Sequence, residues 1–360
     1  MQLITIILSG GTGTRLWPAS KNSYPKQYLS FKGKYSFLQN AIFRALSVNS
    51  NAIIVVTAEN QIGLVTKQLE PLNSKINNTS CYIIGEPEAK NTTPAIILGT
   101  KLVKEIVTPP DQDTDILILS SDHEIQSESA FASDVSKGRE LTKSGWMVTF
   151  GISPTRPETG YGYLETGNPL KTGFKLKSFR EKPTFKKAQE FYKSGNFLWN
   201  AGIFLFSLNT IEKELVRHVP KIVNVFSKVN LPAKNQLSQK MNIIYPDSVI
   251  SALYKNLESI SIDYAVMEKV EQIATIKSQF DWSDVGSWDE VQRVYSSDKP
   301  AAEVESDSNT IYSDLPVTLV GVNELIIVIK NGSVLVTRKG KTQLVRDAVE
   351  KMKTEHPELL

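Results

Sequence analysis

From Leu3 to Phe150 the chain alternates short apolar runs with segments whose apolar residues recur at helical spacing. The runs are Leu3 to Leu8, Ile53 to Val56, Tyr82 to Ile84, Ile116 to Leu119 and Met147 to Phe150. A continuous apolar run suits a strand buried on both faces, as in a parallel sheet covered by helices. Phe37 to Leu46, Gln61 to Leu69, Thr93 to Val107 and Phe131 to Leu141 supply those helices. The pattern predicts an α/β sandwich with a mixed, mostly parallel central sheet. Ligands of such sheets sit beyond the carboxyl ends of the strands. Two polar segments fall there: a glycine-rich stretch after Leu8 and the turn Ser120-Ser121-Asp122-His123.

The second half changes character, with strands predicted at Tyr163 to Glu165, Lys175 to Arg180 and Ile203 to Phe206, and a helix at Phe185 to Lys193. Near residues 296 to 309 the composition turns polar, which divides the 360 residues into an expected catalytic domain, 1–295, and a small β-rich domain, 296–360. In the latter, Thr318 to Val322, Leu325 to Ile329 and Ser333 to Thr337 read as strands and Thr342 to Lys353 as a closing helix. Its lack of a catalytic cluster suggests a role in assembly, with a homodimer as the expected outcome.

A net charge of +3 from 41 basic and 38 acidic residues, without a basic block, argues against a nucleic-acid partner. Cys81 is the only cysteine, which excludes an intrachain disulfide, a cysteine-based zinc cluster and an iron–sulfur site. The first apolar run is too short for a signal peptide, and no stretch approaches the roughly 20 apolar residues of a membrane span. A cytoplasmic protein without a membrane partner is the expectation.

The glycine-rich segment, Ser9 to Gln27, carries Gly10, Gly11, Gly13, Arg15 and Lys26. Glycines let backbone N–H groups approach a polyphosphate, while a guanidinium and an ammonium offset its charge. A dinucleotide fingerprint would need glycine where Leu16 stands, and no Gly-Lys-Ser/Thr follows as a P-loop requires. For the glycines alone a plain tight turn is an equal reading. Asp122 and Asp284 are candidate magnesium ligands, with Asp281 a weaker competitor, because Mg²⁺ takes one or two carboxylates and completes its shell with phosphates and water. A turn or helix cap is the alternative for each. Glu181 and Lys182, before Pro183, form either a pocket pair or an exposed ion pair. Thr159 to Gly162 and Trp199 to Gly202 read as glycine turns beside a small ligand, or as hairpin chemistry. His218 and His356 read as surface residues.

Taken in order, these pieces resemble the sugar-1-phosphate nucleotidyltransferases, specifically the mannose-1-phosphate guanylyltransferases. The resemblance rests on Gly-Gly-Thr-Gly-Thr-Arg-Leu-Trp-Pro from Gly10, Pro-Lys-Gln from Pro25, Glu-Pro from Glu86 and Asn-Thr-Thr-Pro-Ala from Asn91. It continues through Ser-Asp-His from Ser121, Glu-Lys-Pro from Glu181, Trp-Asn-Ala-Gly from Trp199, Ser-Ile-Asp-Tyr-Ala-Val-Met-Glu from Ser261 and Trp-Ser-Asp-Val-Gly-Ser-Trp from Trp282. Ser120 departs from a common proline and Lys90 from a frequent arginine. The resemblance implies a Rossmann-like nucleotidyltransferase fold and transfer of GMP from GTP to mannose 1-phosphate, giving GDP-mannose and pyrophosphate. It implies that Arg15 and Lys26 hold the triphosphate, with Gly10, Gly11, Thr12, Gly13, Thr14 and Ser121 on the nucleotide and Glu86, Asn91 and Thr92 near guanine. By the same resemblance, Lys182 holds the sugar phosphate, Glu181, Asn200 and Gly160 hold the sugar, and Asp122 and Asp284 hold Mg²⁺. The isomerase domain of bifunctional relatives finds no room here, so one activity is expected.

The chemistry accounts for these residue types. A phosphate monoester is largely dianionic at neutral pH, its second pKa being about 6, and needs no general base to act as nucleophile. The obstacle is the charge of the nucleotide it attacks, so alignment and cationic stabilisation carry a single in-line displacement. Another sugar or base, a catalytically silent nucleotide-sugar sensor, and a glycosyltransferase with a similar sheet are the competing readings.

Overall fold

The computed structural model describes all residues except 12, 32, 77–78, 108–113, 233–239, 246–247 and 360. In chain order the first strands are β1 (Leu3–Ser9), β2 (Ala52–Ala58), β3 (Ser80–Glu86), β4 (Asp115–Ser120), β5 (Glu124–Gln126) and β6 (Met147–Ile152). They are followed by β7 (Tyr163–Pro169), β8 (Phe174–Arg180), β9 (Phe197–Ser207), β10 (Met241–Ile244), β11 (Ile273–Lys277) and β12 (Asp281–Ser283). The main sheet is ten-stranded in the order β10-β3-β2-β1-β4-β9-β6-β11-β8-β7, with β9 also paired to β7. From β10 to β4 every pairing is parallel. Beyond β4 the sheet is mixed: β9 runs antiparallel to β4, β6 and β7, whereas β11 is parallel to β6 and antiparallel to β8.

The parallel half follows from the apolar runs, because in-register Ile6, Ile54 and Ile118 are all buried. Helix Thr92–Ile106 packs on β1 and β2, and helix Glu128–Thr142 on β6, β9 and β11. One continuous core runs from Ile4, Ile6 and Val56 through Ile96, Leu102 and Phe204 to Val266. Burying such side chains contributes about 1.5–3 kcal/mol each.

The chain separates into two compact units. The first comprises Met1–Gly10, Ala41–Ser121 and Ile125–Trp282, and the second Gly11–Asn40, Asp122–Glu124 and Ser283–Leu360. The second unit thus combines the glycine-rich loop with the C-terminal strands β13 (Ala302–Val304), β14 (Thr310–Ser313), β15 (Thr318–Val320), β16 (Leu325–Lys330) and β17 (Ser333–Arg338). Its core packs Leu16, Trp17 and Phe37 with Trp288, Ile326, Val328, Val345 and Val349. The predicted closing helix is a 3₁₀ turn, Thr342–Leu344, followed by helix Val345–Glu355.

Two sequence expectations are corrected. Trp199 to Gly202 is not a turn but lies inside the eleven-residue β9. Trp199 pairs with β6 and β7 and Asn200 with β6, which holds the segment extended, and Gly202, at φ 65°, falls within the bulge of the β6 pairing. His218 is largely covered, its side chain 14% exposed, because its ring bonds Glu214 one helical turn earlier at 3.1 Å. No helix among the described residues is long and apolar enough to cross a membrane.

Candidate functional site

In the second unit the glycine loop, Lys26, Asp122 and Asp284 come together. Gly13 adopts φ 62°, and a Cβ there would collide with the Lys26 side chain, so the loop folds directly over that lysine. Its carbonyl accepts from Leu16 N at 3.0 Å and from Ser20 Oγ at 2.6 Å, which closes the 3₁₀ turn Thr14–Leu16. Gly10 ends the first unit's opening segment and Gly11 opens the second. Thr12 lies outside the described residues. Arg15 projects exposed from the turn and donates to Gln343 Oε1 at 3.2 Å.

Lys26 is 4% exposed, yet donates to Asp122 Oδ2 at 2.9 Å and to the backbone oxygen of Asp284. An ammonium so buried needs such partners. Burial raises the cost of charge on Asp122, but the Lys26 ammonium, with His123 and hydrogen bonds behind it, holds its carboxyl below the usual range. His123 Nε2 stands 3.9 Å from Asp122 Oδ1. Asp284 Oδ1 accepts from Gly286 N at 3.2 Å, so the turn-capping reading is also realised. Among the described residues no group of three or more His, Cys, Asp or Glu side chains gathers into a self-sufficient metal cage. Lys26 nevertheless ties the Asp122 carboxylate to the backbone of Asp284, and two carboxylates on segments so joined fit a hard divalent cation that draws its remaining oxygens from phosphate and water.

The first unit carries a second cluster. Glu181 follows β8, and Lys182, at φ 45°, turns the chain so that its ammonium lies 3.4 Å from Glu181 Oε1. The two form an ion pair of unequal cover, the Lys182 side chain being 60% exposed and that of Glu181 only 11%. Glu181 Oε2 is buried without a hydrogen-bond partner. Burial first, and Asp263 second, push Glu181 up to about 7 against the pull of Lys182. Asn200 is buried in β9, its Oδ1 accepting from Thr149 Oγ1 at 2.9 Å and Gly202 N at 3.1 Å, and its Nδ2 donating to Asp263 Oδ1 at 3.0 Å. Glu268 accepts from the Glu181 N–H at 3.1 Å. Gly160 is exposed, and its N–H is engaged by Glu158 Oε1 at 3.1 Å.

Also in the first unit, Glu86 is buried at the end of β3 and accepts from Tyr254 OH at 2.9 Å. Burial pushes its carboxyl up to about 8, with the Tyr254 bond opposing. Asn91 caps helix Thr92–Ile106 by accepting from Thr92 N at 2.9 Å, and Thr92 Oγ1 accepts from Ile262 N at 2.8 Å. Ser121 Oγ is buried without a partner. Sequence reasoning missed Asp263, Glu268, Tyr254 and Gln343 as neighbours of these groups. The first two lie inside Ser261 to Glu268, a segment visible as a motif but silent about what its carboxylates touch.

Residues 4–299 match the nucleotidyl transferase family, and residues 300–352 match the MannoseP isomerase/GMP-like beta-helix domain. An Escherichia coli protein named mannose-1-phosphate guanylyltransferase is 34% identical, the match covering 99% of this chain and 78% of that protein. The Salmonella typhimurium mannose-1-phosphate guanylyltransferase RfbM is 35% identical, with 98% of this chain and 73% of that one covered. A solved structure from Thermus thermophilus, described as a mannose-1-phosphate geranyltransferase, matches with a TM-score of 0.79 at 25% identity, covering 98% of this chain and 100% of that chain. Family match, near-full-length identity and shared fold agree, and the chain belongs to the nucleotidyl transferase family, in its mannose-1-phosphate guanylyltransferase branch.

Proposed function

We propose that the chain transfers GMP from GTP to α-D-mannose 1-phosphate, forming GDP-mannose and releasing pyrophosphate. The observation that carries this reading is Lys26, which joins Asp122 to the Asp284 segment directly beneath the glycine loop. An ammonium has three N–H donors; among the described residues two are engaged, and we assign the third to a phosphate oxygen. Arg15 meets the triphosphate from the exposed side of the same loop, and Gly10, Gly11, Thr12, Gly13, Thr14 and Ser121 line the nucleotide. Glu86, Asn91 and Thr92 lie toward guanine. Lys182 takes the sugar phosphate, while Glu181, Asn200 and Gly160 take the sugar.

Enzymes of this family typically use a divalent metal, which we assign as Mg²⁺ on Asp122 and Asp284. When bound it supplies positive charge against the phosphate oxygens. A phosphate oxygen of mannose 1-phosphate forms the new bond to the α-phosphorus, the bond to the β-phosphate oxygen breaks, and its electron pair leaves with pyrophosphate. No proton has to be removed from the nucleophile, which fits a site whose buried groups are cations and carboxylates without a catalytic histidine. On this reading residues 1–295 carry the reacting groups, and residues 296–360 support the loop that bears Arg15.

The test is pyrophosphate release by the purified protein with Mg²⁺, crossing GTP, ATP, UTP, CTP and dTTP against mannose 1-phosphate and glucose 1-phosphate. Release confined to GTP with mannose 1-phosphate is expected. Preference for another pair would change the substrates, and nucleotide binding without release by any pair would overturn the transferase reading in favour of a silent sensor.

A further inference from the structure

Asn200 is held on both sides of its amide. The Gly202 N–H can only donate, so the atom facing it at 3.1 Å is the amide oxygen, and Thr149 Oγ1 gives that oxygen a second donor at 2.9 Å. On the other side the Asp263 carboxylate accepts from Nδ2 at 3.0 Å. Two acceptor sites and one of two N–H groups are therefore used, and the remaining capacity of the side chain is one N–H. Glu181 is in the complementary condition. Its Oε1 faces Lys182, and its Oε2 is buried with no donor among the described residues. The two groups share one wall, because a Cβ placed on Gly162 would collide with Glu181 Oε2 and stand 3.3 Å from Asn200 Cβ. One spare donor and one spare acceptor suit a polyol, whose hydroxyls both give and take hydrogen bonds.

We infer that Asp263 is a positioning residue for sugar recognition, fixing the Asn200 amide so that its spare N–H serves, together with Glu181 Oε2, as a donor–acceptor pair for sugar hydroxyls. The inference rests on the transferase reading above and deepens it. Asp263 itself touches no substrate in this scheme; its effect passes through Asn200. It begins a single π-type turn, Asp263–Met267, a geometry frequent at functional sites. Replacing its carboxylate by an amide leaves one neutral acceptor oxygen and adds an NH2, so the group facing Asn200 is no longer one that can only accept.

The experiment is steady-state kinetics of the full chain with GTP and mannose 1-phosphate, for the native protein, Asp263→Asn, Asn200→Ala and the double variant. Asp263→Asn is expected to raise KM for the sugar phosphate by up to about tenfold, the scale of a charge-assisted hydrogen bond exchanged for a neutral, less orienting one, with KM for GTP unchanged. In the Asn200→Ala background the same change should add little, because its route of action is already gone. Thr149→Val, which withdraws a donor from the other side of the amide, keeps the test open should Asp263→Asn fail to fold. It should raise the same KM several-fold, and Thr149→Ser should restore it. An unchanged sugar KM in the folded variants, equal rises for both substrates, or strictly additive losses would overturn the inference. Absence of turnover by the native chain would instead overturn the transferase reading, and this inference with it.

Discussion

Glu86 shows how one carboxyl couples fold to pH. Its side chain lies buried at the end of β3, and the single hydroxyl of Tyr254 does not replace the water it has lost. Burial lifts it from the ordinary 4.5 to about 8. Between those values the folded chain keeps a proton that the unfolded chain has released, so unfolding gives off a proton and rising pH favours it. The contribution is intact at low pH, declines from about pH 4.5 to about pH 8 at up to about 1.4 kcal/mol per unit, and then levels off. Glu86→Gln keeps the size and the acceptor for Tyr254 but does not titrate. Urea unfolding at intervals from about pH 5 to about pH 8 should show a shallower decline in the variant. Parallel declines would mean that Glu86 does not titrate in this window.

At the scale of elements, what could be read in the sequence was what local pattern determines. The runs at Ile53 to Val56 and Ile116 to Leu119 became β2 and β4 because a strand buried on both faces must be apolar at every position. Met241–Ile244 escaped notice: at four residues it is too short for periodicity, and it exists only because β3 offers an edge to pair with. Trp199 to Gly202 reads as a turn in sequence because glycine normally punctuates a chain, and nothing local reveals that β6 and β7 pair with its first residues. The site divides likewise. Gly13, Lys26 and Asp122 stand out by residue type, whereas Tyr254 lies 168 residues from Glu86 and Asp263 lies 63 from Asn200, separations across which a sequence pattern carries no contact. The glycine loop offers a test of its own. Gly11, at φ 92°, has open space where a Cβ would be, while Gly13, at φ 62°, would drive one into Lys26. Both substitutions by alanine incur the left-handed cost of about 1–2 kcal/mol, but only Gly13→Ala displaces the lysine that holds Asp122. Turnover should fall at least about tenfold further in Gly13→Ala than in Gly11→Ala. Equal losses would assign the whole effect to backbone strain.

For the whole molecule, the C-terminal segment, whose plain composition suggests only an assembly role, packs against the turn that bears Arg15. Leu16, the last residue of the turn that bears Arg15, and Trp17, which follows it, share a core with Val328, Val345 and Val349. Asn331 Nδ2 donates to Pro18 O at 3.0 Å, Trp17 Nε1 to Leu359 O at 3.3 Å, and Arg15 to Gln343 Oε1 at 3.2 Å. The loop proposed to hold the triphosphate is therefore folded against residues that arrive some three hundred positions later, all within the second unit. These contacts are unequal. The exposed Arg15–Gln343 bond is worth at most about 1–3 kcal/mol, while each large apolar side chain stripped of its cover loses about as much by itself, and several lose it together. Gln343→Ala should consequently leave the melting temperature near native and raise KM for GTP only a few-fold. A chain ended after residue 299 should melt well below the native one and lose most of its pyrophosphate release, even at a temperature where its far-ultraviolet circular dichroism shows the main sheet intact. Native-like turnover by that shortened chain would show that the glycine loop reaches its working shape without the C-terminal strands, and that their packing against Leu16 and Trp17 serves stability alone.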